Sequence, residues 1–212
     1  MLGRRRPAAA TRSGTRTRLI DAALQTLTSR GFSGTTARAI AATARVNQAL
    51  IFYHFGSVDN LLLAALDATS ERRLRRYRER LADVTQLSEL VERMSALYAE
   101  DVRLGHVAAV QELIAGGSSV PALRPEVVAR LDPWIRLAEE IGQRVLSGSL
   151  LEPGAVIHEL AFAAVALYLG IETLTHLQGD RAPAEALFLS GRRFAPLLDA
   201  VLSIGRMEKA TQ

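Results

Sequence analysis

From Leu160 to Ile171 every residue is apolar or glycine, so a helix over this stretch has no face suited to water. The run is 12 residues long, short of the ~18 or more apolar residues a membrane span needs. Other protein must therefore cover it. The next segment makes a similar demand, because Leu187, Phe188, Phe194, Leu197, Leu198, Val201, Leu202 and Ile204 spread beyond one narrow stripe. A symmetric dimer, with both helices packed against their copies in a four-helix bundle, meets both demands simply. Phe162, Val165, Leu169, Leu187, Phe188, Phe194, Leu198 and Val201 are the expected interface residues. The alternative is a monomer whose other helices bury them.

The rest of the chain also reads as helix. Beyond residue 59, helical segments are expected from Asp59 to about Ala82 and near 86–104, 106–115, 121–147, 153–178 and 183–205. Gly105, Gly116-Gly117, Gly148, Pro153 and Gly179 mark the breaks. No alternating strand pattern, internal repeat or Gly-rich phosphate loop is present, so the fold is expected to be all-α. At 212 residues the chain makes one large domain or two modest ones. It contains no cysteine, which excludes disulfides, thiolate metal sites and cysteine nucleophiles. Met1 to Arg6 is basic, but no apolar segment follows it as a signal peptide requires, so a soluble cytoplasmic protein is expected.

Charge is unevenly placed. Residues 1–58 hold nine arginines against one acid, Asp21, whereas the whole chain carries only +4. A basic end on a more acidic body points to nucleic acid or an anionic surface. Almost every basic residue is Arg, as in a high-GC genome, but that bias does not explain the crowding at one end.

Residues 1–14 lack periodicity and read as a basic flexible arm. From Thr15 onward, Leu19, Ile20, Ala23, Leu24 and Leu27 share one helical face. Gly31 suits a left-handed helix end, with Phe32 folding back onto Leu27. Thr35 or Thr36 can cap a short helix through Ala42, and Asn47 a second one from Gln48 to Phe55. Between them Thr43 to Val46 form a turn. Two short helices joined this way have the proportions of a helix-turn-helix, whose second helix presents its first residues to base edges in the major groove. Ile40, Ala41, Val46 and Ile51 would pack inside, and so would Phe52 and Phe55. Gln48, Ala49, Leu50, Tyr53 and His54 would face outward.

Residues 15–66 resemble the N-terminal DNA-binding domain of the TetR family of transcriptional regulators. The likeness is carried by Gly31-Phe32, Thr35-Thr36, Ile40-Ala41, Ala44, Val46 and Ile51-Phe52-Tyr53-His54-Phe55, followed by Ser57 and Leu61-Leu62. The resemblance implies a three-helix DNA-binding domain over 15–58 and an effector-binding and dimerisation domain over 59–212. It further implies a homodimer on a roughly palindromic operator of double-stranded DNA, most often a repressor released by a small molecule. The DNA contacts it suggests are Thr35, Thr36, Arg38, Asn47, Gln48, Ala49, Leu50, Tyr53 and His54. Thr36 and the free amides at the helix start suit a phosphate, and Arg38 a phosphate or guanine edge. Gln48 can pair with adenine, while Ala49 and Leu50 can meet a thymine methyl. Tyr53 and His54 stand where the family holds phosphate. Three departures stand out: Arg45 replaces the turn glycine, Ala39 the acid of the capping box, and Val58 a phosphate-binding lysine.

Polar or aromatic groups inside the apolar helices of the C-terminal domain are candidate effector contacts: Tyr98, His106, Gln111, Trp134, Tyr168, Glu172 and His176. The apolar balance of the domain favours a hydrophobic or amphipathic effector. No catalytic, metal or cofactor site is expected. His158-Glu159 begins a zinc motif that Phe162 breaks, Glu172 and His176 lack a third ligand, and no nucleophile elbow occurs. The run Arg72, Arg73, Arg75, Arg76, Arg78, Arg80 reads as an exposed basic face. It supports the rival reading, a helical module that binds a protein or membrane surface.

Overall fold

A computed structural model describes residues 8–149 and 154–210, and every regular element in it is helical. The α-helices are α1 (Ala8–Gly34), α2 (Ala37–Ala44), α3 (Ala49–Phe55), α4 (Val58–Leu81), α5 (Leu87–Arg103), α6 (His106–Ser119), α7 (Arg124–Ala129), α8 (Asp132–Leu146), α9 (Ile157–Gln178) and α10 (Ala182–Ala210). They form two compact units. The first holds residues up to Glu71 together with Ala108–Val128, and the second holds Arg72–Val107 and the chain from Ala129 onward.

The first unit is built on an apolar core from five helices. Leu19, Ala23 and Leu27 of α1 meet Ile40 and Ala41 of α2, Ile51 of α3, Leu61, Leu62 and Ala65 of α4, and Val110 and Leu113 of α6. The domain therefore extends past the expected boundary at residue 58. The first turns of α4 and the face of α6 supply apolar side chains that a three-helix unit lacks. Gly31 takes a positive φ of 68° and breaks α1 as expected, and Phe32 packs on the core that contains Leu27.

Two expected features differ at the ends of this unit. Helix α1 begins at Ala8, so residues 8–14 of the expected arm are helical; residues 1–7 lie outside the described residues. Gly116-Gly117 does not stop a helix, because α6 continues through it to Ser119. Gly116 instead serves close approach: a Cβ there would lie 2.1 Å from the Phe32 ring. Phe32 is held from a second side by Glu112, whose Oε2 accepts the Phe32 N–H at 2.7 Å.

In the second unit α8 packs along α9 and α5 along α10. Its apolar cluster is Leu74, Tyr77, Leu81, Val84, Leu97, Leu137, Ile141 and Val145. The start of α5 is fastened by Asp199, which accepts the Leu87 and Ser88 N–H groups at 2.7 and 2.9 Å. The expected segment 121–147 is interrupted. Helix α7 ends at Ala129, and Pro133 opens α8, where its missing N–H costs nothing. Pro196 sits inside α10.

Helix α9 is long and apolar enough to span a membrane by length and composition alone. It also buries Glu172 completely and shares a packed face with α8, as a core helix of a folded domain does. Its opposite side is uncovered.

Candidate functional site

The turn between α2 and α3 is a Schellman end. Val46 N–H donates to the Ala41 carbonyl at 3.0 Å and Arg45 N–H to the Ala42 carbonyl at 3.2 Å. That geometry requires a left-handed residue, and Arg45 supplies it at φ 53°, ψ 49°. A side chain in this region costs ~1–2 kcal/mol relative to glycine. The first unit retains the turn because Ile40, Ala44 and Ile51 on either side are buried. Arg18 adds support by donating to the Ala44 carbonyl at 2.9 Å.

The caps form as their residue types suggest. Thr36 Oγ1 accepts the Ala39 N–H at 3.2 Å, and Asn47 Oδ1 accepts the Ala49 N–H at 2.8 Å. Thr35 does not share the exposed position of Thr36. It is buried and donates to the Gly31 carbonyl at 2.6 Å, so it fastens the end of α1 and cannot meet DNA directly.

Helix α3 then shows which residues reach solvent. Gln48, Ala49 and Tyr53 are exposed, as is Arg38 on α2. Leu50 is half-buried and packs against the core of the first unit, so it does not face fully outward as expected. Phe52 reverses the expectation the other way: it is 48% exposed, while Ile51 is fully buried. Helical spacing explains the exchange, since Phe52 lies four residues after Gln48 and Tyr53 four after Ala49. That i, i+4 relation was the available signal, and the apolar character of phenylalanine hid it. His54 is half-buried against the Tyr53 ring, with centroids 5.0 Å apart. Arg16 lies over the Phe55 ring at 5.1 Å. The surface is thus a short helix with a mixed polar and aromatic face, flanked by exposed arginines.

The second unit encloses a polar cluster. Arg73 is buried; its Nε donates to Asp101 at 2.7 Å and its Nη2 to Glu172 at 2.6 Å. Asp101 also accepts from Arg76 and from the Tyr77 hydroxyl, the latter at 2.9 Å. The Tyr77 and Tyr168 hydroxyls are 2.7 Å apart, and those of Tyr98 and Thr175 are 2.6 Å apart. Trp134 stands edge-on to Tyr77 at 5.2 Å and under the Arg73 guanidinium at 5.0 Å.

Burial opposes the Arg73 charge, but the neighbouring Glu172 carboxylate outweighs it and holds the guanidinium above its ordinary range. Burial pushes the Glu172 carboxyl up, against the pull of Arg73. The phenols of Tyr77 and Tyr168 are also raised by burial and stay protonated. His106 is lowered to about 4 by burial and by Arg73 and Arg76. It is therefore a neutral ring, and its Nδ1–H faces the Asp101 carboxylate at 3.3 Å.

Of the expected effector contacts, Tyr98, His106, Trp134, Tyr168 and Glu172 belong to this cluster or its rim. Gln111 is buried in the first unit, and His176 is half-buried on α9. The basic run on α4 is not an exposed face throughout, since Arg73 is buried and Arg76 half-buried. Arg73, Tyr77 and Asp101 were not singled out from the sequence as contacts. The recurrence of Arg73, Tyr77 and Leu81 at four-residue steps was the signal for an inward Arg73.

The expected interface residues lie on α9 and α10. Phe162, Leu187, Phe194, Leu198 and Val201 are exposed, with Phe194 at 63%, and Val165, Leu169 and Phe188 are half-buried. Phe188 stacks at a tilt on Tyr98, with centroids 5.4 Å apart. The two apolar helices are therefore not hidden within one copy.

A buried scaffold that projects a short helix beyond a tight left-handed turn has the form of a helix-turn-helix. Residues 19–65 match the profile of the bacterial regulatory proteins, tetR family. The chain is 26% identical over 183 residues to the HTH-type transcriptional regulator UidR of Escherichia coli K12, a match covering 84% of this chain and 89% of that protein. Two solved structures share the fold. Salmonella enterica GusR superposes with a TM-score of 0.68 at 22% identity, over 90% of this chain and 96% of that one. FadR from Bacillus subtilis, solved in complex with stearoyl-CoA, gives 0.65 at 18% identity, over 84% and 96%.

Proposed function

We propose that this chain is a cytoplasmic, homodimeric repressor that binds a two-fold DNA operator and leaves it when a small molecule enters the second unit. The observation that carries the reading is the outward face of α3, where Gln48, Ala49, Phe52 and Tyr53 stand together over an apolar core. Gln48 pairs with an adenine edge, Ala49 and Phe52 meet thymine methyls, and Thr36, Tyr53 and His54 hold phosphates. Arg38 and Arg16 add to the attraction for the backbone. The uncovered faces of α9 and α10 support the dimer, since two copies can cover each other there and so pair the two α3 helices.

The buried polar cluster supports an amphipathic effector over a purely hydrophobic one. A gel shift against the DNA upstream of the chain's own gene tests the reading. Wild type shifts this fragment, and Gln48→Ala loses ~1–3 kcal/mol of preference for one base pair in each half-site. Full sequence discrimination by the Gln48→Ala protein would contradict α3 as the reader.

A further inference from the structure

The polar cluster in the second unit has two open positions. Glu172 is fully buried; its Oε1 takes the Arg73 bond, but its Oε2 has no hydrogen-bond partner among the described residues. Arg76 Nε is likewise buried without one. One is an acceptor and the other a donor, and an interior group left without a partner is unfavourable in either case. Asp101, by contrast, is saturated by Arg73, Arg76, Tyr77 and His106.

Inside the cluster the charges balance two against two. Arg73 and Arg76 oppose Asp101 and Glu172, while Glu100 reaches Arg76 at 3.6 Å from the partly exposed rim. An ammonium or carboxylate entering this interior would leave one charge uncompensated, at a large desolvation cost. A hydroxyl brings no charge and both gives and takes a hydrogen bond. The rings of Trp134, Tyr77, Tyr168 and Tyr98 follow one another edge to face at 5.2 to 6.5 Å, so a molecule that reaches the cluster meets aromatic carbon beside the polar atoms.

We infer that the effector is an uncharged, hydroxyl-bearing molecule with an apolar or aromatic body, whose hydroxyl groups occupy the open positions at Glu172 Oε2 and Arg76 Nε. This inference rests on the small-molecule reading above and deepens it.

Trp134 is the only tryptophan in the chain, so its fluorescence reports occupancy directly. The full-length protein is titrated with 2-phenylethanol, ethylbenzene, 2-phenylethylammonium and 3-phenylpropanoate, which differ chiefly in the polar group. The alcohol is expected to bind at least tenfold more tightly than the other three. Glu172→Met, which takes the acceptor away altogether, should remove that advantage. A stronger response to the ammonium or the carboxylate would overturn the uncharged class while leaving an effector site in place. Equal binding of ethylbenzene and the alcohol would overturn hydroxyl recognition. No response to any probe would mean that the open positions hold only water and that the effector site itself is misplaced. The four-probe comparison on the wild-type chain decides the matter even if the variant does not fold.

Discussion

The core of the first unit is made of Leu19, Leu27, Ile40, Ile51 and Leu61, whereas the second unit encloses Arg73, Asp101 and Glu172 beside its leucines and valines. The first unit buries only neutral polar groups, such as Thr26, Thr35 and Gln111, so its turn and short reading helix are held without a buried ion pair. A core with ion pairs is sensitive to the loss of either partner and responsive to groups that bind there. The contrast fits a molecule with one rigid region and one region whose balance can be altered.

Breaking an ion pair should show the contrast most strongly. Arg73→Met leaves Glu172 buried without the Arg73 guanidinium, and should cost the second unit ~3–5 kcal/mol in denaturant unfolding. Pairing it with Glu172→Met should recover much of that loss. A single variant with wild-type stability would show that the Arg73–Glu172 pair does not hold the cluster together. The matching change in the first unit, Ile51→Ala, creates a cavity and should cost ~2–5 kcal/mol. It has no polar partner, so no second substitution of the Glu172 kind should rescue it.

Acid should separate the units further. The His106 pKa is lowered to about 4 in the folded chain from an ordinary 6.5, so the unfolded state takes up its proton first. The contribution is present above pH 6.5 and declines as the pH falls toward 4. Thermal melts of His106→Gln should lose part of this acid sensitivity; an unchanged profile would show that His106 is not the group responsible. The smallest effect is expected at Arg45, where Arg45→Gly relieves the left-handed strain and should raise the melting temperature by the equivalent of up to ~1 kcal/mol. A clear loss instead would mean that the Arg45 side chain supports the turn.

The same contrast accounts for what could be read from the sequence. Periodic apolar residues and cap residues are local signals, so α1 to α4, the Gly31 break and the Thr36 and Asn47 caps were legible. The exchange of Leu50 for Phe52 was not, because both are apolar and only packing against the core of the first unit decides which one turns inward. Gly116 was misread as a breaker because the ring that needs its missing side chain lies far away in sequence. Arg73 was hidden in a run of arginines, and its partners Asp101 and Glu172 come from other helices. Tyr168 and Glu172 could be found because polar groups stand out on an apolar helix.

Selecting bound fragments from a random pool of duplex DNA tests the central claim most directly. If two copies joined through α9 and α10 each insert α3 into a major groove, the recovered sequences will be inverted repeats with fixed half-site spacing. Recovery of single, unrepeated sites, or of no sequence preference at all, would contradict it.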